Sequence, residues 1–94
     1  MKLLTNLLMT CLVQYNGQDI FSRQIQFEPG IQMIAIGEAR DYQLMIRDMG
    51  QEKFELQAYN VVEPSRSYAT GPLDLQLAIW NREHWIQVTC SREK

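Results

Sequence analysis

Apolar residues recur at every second position along most of the chain, and no long window repeats them at i, i+3, i+4 and i+7. That period belongs to strands, not helices. The strongest turn signal is Asn16-Gly17, a pair that tolerates the positive φ a two-residue type I′ turn requires. Setting Tyr15 opposite Gln18 pairs Leu12 with Phe21, Thr10 with Arg23 and Leu8 with Ile25, which predicts an apolar face. The reverse face would carry Met9, Cys11 and Val13 opposite Gln24, Ser22 and Ile20, a more mixed set.

Glu28-Pro29-Gly30 breaks the pattern, and a third strand is expected from Ile31 to Ile36. Gly37 to Asp41 reads as a turn, followed by alternation of Tyr42, Leu44 and Ile46 with Gln43, Met45 and Arg47. A turn at Met49-Gly50-Gln51 would fold Lys53–Val62 back, setting Ile46 opposite Phe54, Leu44 opposite Leu56 and Tyr42 opposite Ala58. Glu63 to Pro72, with two prolines, a glycine and two serines, is expected to be an exposed loop. In the last unit Leu73, Leu75, Leu77 and Ile79 alternate with Asp74, Gln76, Ala78 and Trp80, and across a turn at Asn81–His84 Leu75, Leu77 and Ile79 face Cys90, Val88 and Ile86. The same symmetry makes Trp80 and Trp85 cross-strand neighbours whether the turn has two residues or four. About seven strands without a helical connector predict a single all-β domain over residues 1–94. The expected form is an antiparallel, immunoglobulin-like β-sandwich, with a small closed β-barrel as the alternative.

The first residues allow two readings. Met1-Lys2 followed by LLTNLLMTCLV has the outline of a targeting segment. Thr5, Asn6 and Thr10 interrupt the apolar run, no small-x-small cleavage site follows, and Thr10 is a poor residue before a lipidated Cys11. A first strand is the preferred reading of residues 1–13.

Of the 94 residues, 46% are hydrophobic and 21% charged, enough apolar material for one packed core. Nine Lys and Arg against eleven Asp and Glu give a net charge of −2, with the basic residues scattered. Nucleic acid and anionic membrane surfaces are therefore poor partners for this chain. No run of about 18 apolar residues occurs, so no transmembrane segment is expected.

Catalytic chemistry finds little footing. The single histidine, His84, is six residues from Cys90 along a strand, roughly 20 Å at about 3.3 Å per residue. One histidine and two cysteines without CxxC spacing make no tetrahedral metal set, and no glycine-rich phosphate loop is present. Neither enzyme activity, metal nor cofactor is expected. Cys11 and Cys90 fall in the first and last strands, where a disulfide and two buried thiols are both compatible with the pattern. A disulfide closing so long a loop would stabilise by roughly 4 kcal/mol and would imply a periplasmic or secreted protein, the cytoplasm being the alternative.

The tryptophan hairpin is the main candidate for binding. Its core face is Ile79, Leu77 and Leu75 with their partners, whereas the tryptophan face continues into Ala78, Gln87, Gln76 and Thr89. Exposed indoles bury much area on contact and keep an N–H donor, with Arg82 and His84 beside them for polar contacts. The competing reading packs both rings under the 63–72 loop, whose own candidate contacts are Ser65 and Tyr68. The function expected is a non-catalytic module that binds another protein, as accessory, inhibitor or assembly factor. It would act through this hairpin or an edge strand, and edge strands would also serve homo-oligomerisation. The alternative is a small barrel carrying an apolar ligand. In strand pattern and in the placement of Cys11 and Cys90 the chain resembles small secreted β-sandwich or β-barrel inhibitors, such as curli-assembly and lysozyme inhibitors. Some of these join their ends through cysteines. The resemblance is one of fold and transfers no functional residue.

Overall fold

A computed structural model describes residues 7–28 and 32–93. Eight strands follow one another: β1 Leu7–Tyr15, β2 Gln18–Phe27, β3 Met33–Ala39, β4 Tyr42–Gly50, β5 Lys53–Asn60, β6 Ser65–Gly71, β7 Leu75–Asn81 and β8 His84–Arg92. They form two four-stranded antiparallel sheets, ordered β2-β1-β8-β7 and β3-β4-β5-β6. The layering is that of a β-sandwich, and the order within each sheet is a meander joined by the β1–β8 pairing instead of a Greek key. Among the described residues no ladder joins β2 to β3 or β6 to β7, so the sheets do not close into the alternative barrel. The break expected at Glu28-Pro29-Gly30 and the start of the third strand at Ile31 fall partly outside the described residues, as do residues 1–6.

The layer between the sheets is filled by alternate side chains from both, among them Met9, Phe27, Leu44, Ile46, Phe54 and Ile86. This is the alternation the sequence shows, but its phase in β1 is the opposite of the one expected. Met9, Cys11 and Val13 are fully buried while Leu8 is 38% exposed and Leu12 half-buried. A bulge between Val13 and Gln14 leaves Ile20 unpaired, so Val13 faces Phe21 and Met9 faces Ile25. One extra residue exchanges the two faces of a strand. The β1–β8 ladder then pairs Val13 with Val88 and Cys11 with Cys90 on the core side. These cysteines form a disulfide, Cα to Cα 4.0 Å, in the middle of the ladder that joins the two ends of the chain.

Three further expectations change. The β4–β5 register is displaced by two residues, to Ile46 opposite Leu56 and Leu44 opposite Ala58, because the turn is Gln51-Glu52 and the ladder shifts between Asp48 and Gly50. A slip of two keeps each residue on its face. The third strand runs on through Gly37 to Ala39, leaving only Arg40-Asp41 as the turn. Gly37 is there for a close approach: a Cβ on it would lie 2.8 Å from Phe21 Cζ of the facing sheet, and its φ is +152°. Finally, Ser65–Gly71 is a strand paired along its length with β5, not a loop. Pro64 and Pro72 flank it, and its inward row of Ser67, Ala69 and Gly71 is small enough for a half-buried edge.

Candidate functional site at the turn end of the sandwich

A meander places alternate turns at the same end of the sandwich. The turns at Asn16-Gly17, Arg40-Asp41, Val61–Pro64 and Arg82-Glu83 all gather at one end, and contacts between them show it. Asn16 N donates to Trp85 O at 2.7 Å, and Asn16 Oδ1 accepts from Trp85 N at 2.8 Å. Val61 N donates to Asp41 O at 2.9 Å. The Arg40 guanidinium lies 4.5 Å from the centre of the Tyr15 ring, a cation–π contact. The Tyr15 hydroxyl hydrogen-bonds His84 Nδ1, so the end of β1 is tied to the start of β8.

Asn60 supports this end from below. It is 3% exposed, and its Oδ1 accepts from Val62 N and Glu63 N, each at 2.9 Å. Such a side-chain cap fixes a turn without a backbone partner. The turn it holds presents Val61 and Val62, 48% and 64% exposed. Between this turn and Arg82-Glu83 lies a cleft of about 330 Å³ lined by Asp41, Asn60, Val62, Glu63, Arg82, Glu83 and His84. A smaller hollow of about 120 Å³ adjoins it, sharing Asp41 and His84.

The tryptophans stand beside the cleft on the outer face of the β7–β8 hairpin. They are direct cross-strand neighbours, with ring centres 4.8 Å apart and planes 6° from parallel. Trp80 is 69% exposed, whereas Trp85 is half-buried between Trp80 and the Asn16-Gly17 turn, where a Cβ on Gly17 would lie 4.0 Å from its ring. The Trp85 Nε1 is buried without a hydrogen-bond partner. Trp85 is thus a base on which Trp80 is stacked, and Trp80 turns its other face outward.

Of the residues expected from sequence, Trp80, Trp85, Arg82 and His84 come together here. Ser65 begins β6 next to the Val61–Pro64 turn. Tyr68 does not join them: Ala69 packs into the core, so Tyr68, 52% exposed, lies on the outer face of the other sheet. No segment over 63–72 covers the indoles. Tyr15, Arg40, Asp41, Asn60, Val62 and Glu63 were not anticipated. The turn positions of Arg40, Asp41 and Glu63 would have pointed to them once a meander was assumed.

Chemically the site offers one open aromatic face and a rim of mixed charge. Both cysteines are in the disulfide, so no thiol stands near His84. Among the described residues no three His, Cys, Asp or Glu side chains are placed to hold a metal ion. Comparison with known proteins gives no family model, no curated protein and no solved structure that matches the chain.

Proposed function

We propose that the protein is a non-catalytic binding module that engages another protein through the turn end of the sandwich, with Trp80 as the central contact. The observation that carries this is the 69% exposure of an indole held in one orientation by stacking on Trp85. An aromatic surface fixed before contact loses little side-chain entropy on binding, which is why such residues dominate interface energetics. Val61 and Val62 add exposed apolar surface at the same end of the sandwich, and Arg82, Glu63 and Asp41 provide a charged rim for orientation. A carrier of an apolar ligand has less support, because packed side chains fill the space between the sheets. The disulfide favours an oxidising compartment, the periplasm or the exterior, as the place of action.

The test is affinity capture from the producing cell with tagged protein and its Trp80→Ala variant, both shown to be folded by circular dichroism. A protein retained by the native chain and lost with Trp80→Ala is the expected result. Equal recovery of the same proteins by both would overturn the assignment of the contact.

A further inference from the structure

The two openings between the sheets are built differently. At the β2/β3 opening the Phe21 ring packs against Gly37, Arg23 Nη1 donates to Ile36 O at 3.3 Å, and both flanking ladders shift register. Bulges and cross-seam contacts of this kind keep an edge from recruiting another strand. At the β6/β7 opening no hydrogen bond crosses among the described residues, and neither the β5–β6 nor the β7–β8 ladder contains a shift. The β7 strand, Leu75–Asn81, contains no charged residue and no proline. Its inward residues Leu75, Leu77 and Ile79 remain 7–8% exposed, against 0–1% for their β8 partners Cys90, Val88 and Ile86.

The ladder also tells which backbone groups are free. Trp85 directs its N–H and C=O to Asn16, away from β7, so Trp80 and Trp85 are a non-hydrogen-bonded pair. Alternation then turns the N–H and C=O groups of Gln76, Ala78 and Trp80 toward the open edge. This edge is regular and neutral, with three donors and three acceptors in line, although the Leu75 side chain packs toward Gly71 of β6 at its first residue.

We infer that β7 pairs with β7 of a second copy, antiparallel, about a two-fold axis at Ala78. Ala78 is the midpoint of Leu75–Asn81, so the symmetric register uses the whole strand. It sets each Gln76 opposite the Trp80 of the other copy, both at free-edge positions, and continues the apolar row of Leu75, Leu77 and Ile79 across the junction. A neutral strand meets its equivalent without like-charge repulsion, which the charges of β2 or β3 would not allow as freely. The product is a continuous eight-stranded sheet with both Trp80 rings on one face, about 13 Å apart along the strands at about 3.3 Å per residue.

Sedimentation equilibrium of the disulfide-intact protein across micromolar to millimolar concentration tests this. The expected mass rises from the 11.0 kDa chain to twice that value. Ala78→Pro removes the free-edge N–H and leaves the β7–β8 ladder bonds in place; Ala78→Lys keeps the donor and sets two cations face to face. Each should weaken the dimer by at least about ten-fold, while Gln24→Lys on β2 of the same sheet should leave it unchanged. Should the proline variant not fold, the exposed lysine position carries the test alone. A single 11.0 kDa species throughout, or a dimer indifferent to Ala78→Lys, overturns the inference.

Discussion

The disulfide lends itself to a worked prediction, because its place in the topology sets its weight. The two terminal hairpins, β1–β2 and β7–β8, share a sheet only through the β1–β8 ladder, and Cys11 faces Cys90 at the middle of that ladder. Forming this ladder in an open chain means closing a loop across a separation of 79 residues. In the chain-entropy model that closure corresponds to about 15 cal/mol/K, or about 4.5 kcal/mol at room temperature. Replacing both buried cysteines by alanine should add about 1 kcal/mol per site for lost packing. A domain of 94 residues has on the order of 5–14 kcal/mol of total stability, so the variant Cys11→Ala/Cys90→Ala keeps a thin margin or none. Urea unfolding of the oxidised protein, the reduced protein and the double variant measures this. Reduction isolates the loop term, and the m-value should rise because the unfolded chain is no longer held compact. A loss on reduction below about 1 kcal/mol would refute the argument that the long β1–β8 closure limits stability.

Three other outcomes follow from individual contacts. Trp80→Ala should lower stability by about 0.5–1.5 kcal/mol, the worth of an aromatic pair, and abolish the exciton couplet of the stacked indoles in circular dichroism. Gly37→Ala should destabilise by about 1–3 kcal/mol through the contact with Phe21, and a double-mutant cycle with Phe21→Leu should recover part of that loss; additive effects would count against the contact. Asn16→Ala removes the acceptor for Trp85 N and a residue suited to φ +50°, which should cost about 1–3 kcal/mol in thermal or urea unfolding.

The class of fold is legible in the sequence, because alternation of period two is a local property of the chain. The cross-strand pairing of the β7–β8 hairpin is legible too, since the observed pairs Ile79–Ile86, Leu77–Val88 and Trp80–Trp85 are those expected, although the strand starts at Leu75 and not at Leu73 and the hairpin symmetry leaves the turn length open. Where a bulge intervenes, local reasoning loses phase. Leu8, Thr10 and Leu12 read as well for a core face as Met9, Cys11 and Val13 do, and the choice was made by the pairing of β1 with β8, 79 residues away at the disulfide. Gly37 looked like a turn residue because the ring that needs its missing side chain comes from the other sheet. Ser65–Gly71 looked like a loop because an edge strand needs only one partner and one half-buried row, a demand too weak to show against flanking prolines. The binding site divides in the same way. Adjacency of the two tryptophans is written in the hairpin symmetry. The exposure of Trp80, and the gathering of Tyr15, Arg40, Asn60 and His84 around one end, depend on how two sheets stack. Stacking is decided by contacts between residues far apart in the chain, which no local pattern records.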